Sequence, residues 1–155
     1  MLAPDDYTLR PLTADDEAIL WDLLYFGIKR SEGTEPPREI VQRPEYARYV
    51  EGWGGPDDLG FVAHDKSAGG LLGAVWMRAP FAQDAPPELA FVVKPGFRHH
   101  GIGASLLTQM MRANSHLSAV ALRMSATSPA VRLFERFGFV IENENEQAVV
   151  MHRAI

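Results

Sequence analysis

The order of apolar and polar residues switches between a period of about two and a period of about 3.6, and each switch predicts a change of element. YTLRPL, from Tyr7 to Leu12, alternates and predicts an opening strand. In TADDEAILWDLLYFGIKR, next along the chain, Ile19, Leu20, Leu23, Leu24 and Ile28 recur at helical spacing, which predicts a helix with one buried face. Thr13 stands where an N-cap is needed, acids fill the first turn, and Lys29-Arg30 close the helix in keeping with its dipole. Residues 31–44 are polar and broken by proline, so they predict a loop; the short helix EYARYVEGW and the turn GGPDD come after it. LGFVAHD and GLLGAVWMRAP, joined by KSAG, predict a β-hairpin.

The second half repeats the alternation. ELAFVV, opening at Glu88, predicts a strand that runs through Pro95 into Gly-Ile-Gly and then a helix to about Asn114. That helix puts Ile102, Leu106 and Met110 on one stripe, with Leu107 and Met111 beside it. SAVALRMSA is a further strand. Ser128-Pro129 then offers a cap and a proline at the first helical position, and AVRLFERF predicts a helix burying Ala130, Leu133, Phe134 and Phe137 up to Gly138. FVIEN and AVVMHRAI predict a closing hairpin. The whole, residues 1–155, reads as one α/β domain: a mixed, mostly antiparallel sheet flanked by helices, with one strand–helix–strand crossover.

Composition narrows the classes. At 155 residues, 46% apolar and 23% charged, the chain has the makeup of a soluble globular domain. No apolar run approaches the roughly 18 residues a membrane span needs, and MLAPDDYTLR, with acids in place of a basic region and an apolar stretch, does not read as a signal peptide. The absence of cysteine excludes disulfides, thiolate metal sites and a cysteine nucleophile, and a cytoplasmic location is expected. The net charge of −5 is unevenly spread. Residues 1–88 hold 16 acids against 8 Lys/Arg, whereas residues 89–134 hold no acid and five basic residues, Lys94, Arg98, Arg112, Arg123 and Arg132. One basic sector in an acidic chain points to a small anionic ligand rather than to nucleic acid.

The segment from Arg98 to Ala104 has the features of a polyphosphate site. The first N–H groups of a helix lack internal partners and carry the positive end of the dipole. Gly101 and Gly103 allow close approach of the backbone, and Arg98 adds charge-assisted hydrogen bonds. A turn with no ligand could carry the same glycines. There is no GxxxxGK[ST] segment, so a P-loop is excluded. A dinucleotide fingerprint fails as well: Leu106 stands at the third glycine, and the next acid after Gly103 is Glu135. His99 and His100 are adjacent, so their side chains diverge, and no third ligand is spaced near them; a metal site is not expected. They sit over the phosphates or point into solvent.

Two segments together resemble the GCN5-related N-acetyltransferases. VKPGFRHHGIGA, from Val93 to Ala104, resembles the Q/R-x-x-G-x-G/A signature, and TSPAVRLFERFGF, from Thr127 to Phe139, resembles the second motif N-x-x-A-x-x-L-Y-x-x-x-G-F. Their order and spacing agree with that family, and the predicted elements match from Tyr7 to the end. The resemblance implies the acyl-CoA N-acyltransferase fold and acetyl-CoA as cofactor. It places the pyrophosphate on Arg98, His99, His100, Gly101, Ile102, Gly103 and Ala104, and the pantetheine arm along Phe91, Val92 and Val93. One N–H of that strand would also face the thioester oxygen.

Two positions depart from the family pattern. Thr127 replaces the usual asparagine and still offers a hydroxyl. Phe134 replaces the tyrosine often credited with protonating the departing thiolate, and is expected to pack against the cofactor instead. A thiol with a pKa near about 8.5 is a tolerable leaving group unaided. Family members often place a carboxylate where Glu88 opens the central strand, which makes Glu88 the candidate base; a solvated strand-end glutamate is the other reading. Tyr25, Tyr46, Tyr49, Trp53 and Trp76, with Glu32 and Glu35, could suit a cationic amine, but aromatics on short helices are more often core. The expected activity is acetyl transfer to a primary amine of a small molecule or peptide, the alternative a non-catalytic acyl-CoA-binding module. No membrane or nucleic-acid partner is expected, and family analogy alone suggests a homodimer.

Overall fold

The computed structural model describes residues 7–32, 35–67, 69–94, 101–125, 128, 130–144 and 148–154. Seven strands, β1 (Tyr7–Pro11), β2 (Leu59–Asp65), β3 (Leu71–Met77), β4 (Glu88–Val93), β5 (Ala119–Ser125), β6 (Val140–Glu144) and β7 (Ala148–Ala154), form one sheet in the order β1-β2-β3-β4-β5-β7-β6. Every neighbouring pair is antiparallel except β4–β5, which is parallel and joined by the crossover helix α3 (Ile102–Ala113). Helices α1 (Glu17–Glu32), α2 (Pro44–Ala47) and α4 (Ala130–Arg136) complete the architecture. Among the described residues no helix is long and apolar enough to cross a membrane.

The sheet buries both faces over its central strands, which explains why LLGAVWM and ELAFVV are nearly continuous in apolar residues. On one face Val75, Met77, Leu89 and Val93 pack against Ile102, Leu106, Leu107 and Met110 of α3 and Phe134 of α4. On the other, Val62, Ala74, Trp76 and Val92 pack against Leu20, Leu23, Leu24 and Ile28 of α1. The helical stripes expected from the sequence are the buried ones, although in α4 only Phe134 is fully buried while Ala130, Leu133 and Phe137 are half-buried. At the far edge β6 is exposed along its whole length.

Three elements differ from the sequence expectation. The proline-rich segment contains a 3₁₀ turn, Arg38–Gln42, whose buried pair Ile40 and Val41 is too short to show a helical period. The helix over 45–53 shrinks to Pro44–Ala47 and continues as mixed turns, with Tyr49 N–H bonded to Tyr46 O at 3.1 Å and Ala47 O accepting from Val50 N–H at 2.9 Å and Glu51 N–H at 2.8 Å. Its later carbonyls are taken by side chains from elsewhere: Trp76 Nε1 donates to Tyr49 O at 2.9 Å, and Arg78 donates to Glu51 O at 2.5 Å. The strand expected over 70–80 ends at Met77, because Arg78 turns to form a two-point pair with Asp58 at 2.9 and 3.2 Å.

Thr13 caps as expected, through a 3₁₀ turn (Ala14–Asp16) that leads into α1 with a complete capping box. The buried Asp16 carboxylate accepts from Thr13 N–H at 2.7 Å and from both Arg10 terminal nitrogens at 2.9 Å. Hydrogen bonds from Arg10, opposed by burial and aided by Thr13, lower its pKa to about 2. A depressed carboxyl pKa stabilises the fold above the unfolded value of about 3.9, and that stability is lost as pH falls toward about 2. Asp16→Asn is therefore expected to lower stability by about 1–3 kcal/mol at neutral pH in urea denaturation. The gap between variant and wild type should narrow as pH falls from about 4 to about 2.

Candidate active site

The central feature is an opening inside the sheet. β4 pairs with β3 through Ala90, Val92 and Lys94; Lys94 N–H bonds to Leu72 O at 2.8 Å, and Ala74 stands opposite Val92. Strand alternation then turns the N–H and C=O groups of Phe91 and Val93 to the opposite side, toward β5. There the register holds only for Glu88↔Ala121 and Leu89↔Leu122, supported by Ala121 N–H to Pro87 O at 2.9 Å. From Ala90 onward β4 has no strand partner on that side among the described residues, although β5 continues to Ser125. Interior peptide groups without partners are costly, and a gap of this shape accepts an extended chain with amides of its own. Of the three strand residues singled out in the sequence, Phe91 and Val93 face the gap with their backbone. Val92 spends its backbone on β3, and its side chain lies toward α1 at Gly27.

At the open end of β4 the chain reaches the N-terminus of α3. Gly101, the N-cap, has φ +80°, a left-handed conformation that glycine adopts without strain. The first helix-type bond runs from Ser105 N–H to Gly101 O at 3.0 Å, so Ile102, Gly103 and Ala104 present N–H groups that the helix does not use, and no acid lies in the first turn. Gly103 has a second reason to be glycine. A Cβ there would lie 2.9 Å from Phe91 Cζ and 3.0 Å from Leu133 Cδ2, so its small size seats α3 against β4 and α4. Tyr7 on β1, which nothing in the sequence singles out, has its hydroxyl 2.7 Å from Ser105 Oγ and 3.3 Å from Gly101 O. Arg98, His99, His100 and Thr127 lie outside the described residues.

Three of the five basic residues of the acid-free sector can be placed here. Lys94 Nζ lies 5.0 Å from the Phe26 ring centroid, Arg112 is in the last turn of α3, and Arg123 turns to Glu88. Phe134 has no exposed surface; its ring meets Phe91 and Phe139 edge-on, each at 5.1 Å. In the structure as it stands its contacts are therefore with protein rings, and through Phe91 it supports the wall of the opening.

Glu88 lies one residue before the point where the strands part. Tyr49 O–H donates to Glu88 Oε1 at 2.9 Å. Arg48 Nη2 lies 3.8 Å from Oε2, and Arg123 Nε lies 3.7 Å from Oε1. Arg48 also stacks over Phe81 at 4.3 Å, and Phe81 meets Tyr49 edge-on at 5.2 Å. The turn carrying Arg48 and Tyr49 is the one held by Trp76 and Arg78, and Asp58, which orients Arg78, also accepts from Gly54 and Gly55 N–H. Burial pushes the Asp58 carboxyl up, but Arg78 and those two N–H groups hold it below its ordinary value. Of the aromatic residues considered for an amine site, Tyr25, Trp53 and Trp76 are core, while Tyr46 and Tyr49 are half-buried. Glu35 is exposed.

A family profile described as an acetyltransferase (GNAT) domain matches residues 56–141, more than half of the chain. No curated protein matches. Among solved structures, a GCN5-related N-acetyltransferase from Kribbella flavida is similar, with 21% identity, 99% of this chain and 100% of that chain covered, and a TM-score of 0.71. PaiA N-acetyltransferase from Thermoplasma acidophilum in complex with coenzyme A is 19% identical over 96% of this chain and 99% of that one, with a TM-score of 0.70. Spermidine N-acetyltransferase from Vibrio cholerae in complex with CoA and spermine is 19% identical over 97% and 96%, with a TM-score of 0.63.

Two measurements test this geometry without a ligand. Gly101→Ala is expected to cost about 1–2 kcal/mol in urea denaturation, the penalty of a side chain in the left-handed region. Burial, then the charge and hydrogen bond of Glu88, push the Tyr49 hydroxyl up to about 12. The raised value favours the neutral phenol, so its stabilising effect is present below about 10 and is lost as pH rises through about 12. A spectrophotometric titration should show a component near about 12 that Tyr49→Phe removes and Glu88→Gln moves downward.

Proposed function

This chain belongs to the GNAT acetyltransferase family and is an acetyl-CoA-dependent N-acetyltransferase, and from that premise we propose which of its residues carry the reaction. The observation that supports the assignment is the end of β4–β5 pairing at Leu89, which leaves the peptide groups of Phe91 and Val93 facing an opening in the sheet. Acetyl-CoA, when bound, supplies the acetyl group as a thioester. Ile102, Gly103 and Ala104 N–H groups, with Arg98, His99 and His100, hold its pyrophosphate. Phe91 and Val93 hold the pantetheine amides as an added strand would, Val92 fixes their orientation by its bonds to β3, and Thr127 offers a hydroxyl. One N–H of Phe91 or Val93 stabilises negative charge developing on the thioester oxygen.

Glu88 takes the proton from the acceptor amine, directly or through water. Tyr49 fixes Oε1, leaving Oε2 the freer oxygen. Phe134 offers no proton to the departing thiolate, which leaves unaided because a thiol of this kind has a pKa near about 8.5. Phe134 acts by holding Phe91 in place. The absence of cysteine suits a cytoplasmic location, and a homodimer, suggested by family analogy, is read by light scattering.

Calorimetric titration of acetyl-CoA is expected to give micromolar binding that Arg98→Glu weakens at least tenfold. Glu88→Gln should keep that binding and lose about 10²–10⁴-fold in kcat with a panel of amines. The second reading, a non-catalytic acyl-CoA-binding module, is favoured by Phe134 in the place of a proton donor. It predicts the same binding and no turnover with any amine, and wild-type turnover eliminates it.

A further inference from the structure

Arg48 and Arg123 come from different elements, the turn after α2 and strand β5, yet both converge on Glu88. Their distances to the carboxylate, 3.8 and 3.7 Å, exceed a hydrogen bond, so neither guanidinium spends a donor on it at bonding length. Both side chains face solvent, 41% and 55% exposed. Arg48 is also preorganised: its guanidinium lies over the Phe81 ring, 4.3 Å from the centroid. Phe81 and Tyr49 brace each other at 5.2 Å, and Trp76 and Arg78 fix the turn beneath. The cluster therefore presents two positive groups around one negative group, at the point where β4 and β5 part. Of the two acids lining the groove beside Pro87, Asp84 and Glu142, Glu142 faces His152 at 3.8 Å.

We infer that the acceptor is a zwitterion, an amino-acid-like amine whose neighbouring carboxylate is held by Arg48 and Arg123 while its amino group meets Glu88. This rests on the acetyl-transfer reading. Arginine presents a planar fork of donors that matches a carboxylate. The alternating charges match an ammonium and a carboxylate held close together. A second ammonium in place of the carboxylate fits this cluster poorly, because it would meet two guanidiniums and only one carboxylate.

The test compares matched acceptors: a panel of α-amino acids, the same compounds as amides, the amines lacking the carboxylate, and spermidine. Thiol release and product mass report turnover. Calorimetry of each acceptor with protein saturated with coenzyme A reports binding, and acetyl-CoA affinity is read in every variant. Amino acids are expected to exceed their amides at least tenfold in kcat/KM. Arg48→Gln and Arg123→Gln should each reduce that preference roughly ten- to hundredfold, mainly through KM and acceptor affinity. Arg48→Lys should recover only part, since it keeps the charge without the fork. Equal or better use of amides or spermidine overturns the inference, as does a preference unchanged in both variants, or acetyl-CoA binding with no amino acid bound or acetylated. A wild type that binds no acetyl-CoA removes the underlying reading and this one together.

Discussion

The parallel contact between β4 and β5 sets what the rest of the molecule can do. Among the described residues it is the single parallel pair in an antiparallel sheet, and its register covers two residue pairs before it ends. A strand edge in the middle of a sheet has to be satisfied, and the peptide groups of Phe91 and Val93 turn toward the gap with no strand partner among the described residues. The crossover helix α3 starts beyond the open end, so its unused N–H groups belong to the same opening. Glu88 lies at the closed end. One interrupted ladder thus orders these features along a line: a helix terminus with unused N–H groups, an unpaired strand edge, an ionisable side chain.

Keeping such a gap open requires stiff walls. One comes from the rings of Phe91, Phe134 and Phe139 and from the close seat of Gly103 on Phe91 and Leu133. The floor is β3, to which β4 is bonded through Ala90, Val92 and Lys94. Around Glu88 the support is polar. Trp76 and Arg78 on the β3 side claim carbonyls of the turn after α2, which ends that helix early and holds Arg48 and Tyr49 against the carboxylate. The shortened helix is a consequence of how the site is positioned.

Much of this was legible in the sequence. The apolar periods of α1 and α3, the alternation of the strands, the Thr13 cap and the glycine that opens α3 each report a local rule, and the structure keeps them. The pair Ile40–Val41 was missed because two apolar residues define no period. The acid-free run from Leu89 to Phe134 was legible as a basic sector, but a charge pattern along the chain says nothing about which face a strand presents, and only the fold shows Arg123 beside Glu88 and Lys94 over the Phe26 ring. Gly103 was read for phosphate access alone; its contact with Phe91 and Leu133 depends on three elements meeting.

The sequence by itself determined the features that depend on near neighbours along the chain: which segments become helix or strand, where a left-handed glycine opens α3, and through two spaced motifs the family and its cofactor. Tertiary structure alone decided the features that depend on residues distant in sequence. It stopped the β4–β5 ladder at Leu89, turned Phe91 and Val93 rather than Val92 toward the gap, and brought Arg48, Tyr49 and Arg123 to Glu88. The physical reason is that local hydrogen bonds and hydrophobic periods act over a few residues and leave their mark in the sequence. Register and the convergence of charges are set only when whole faces pack.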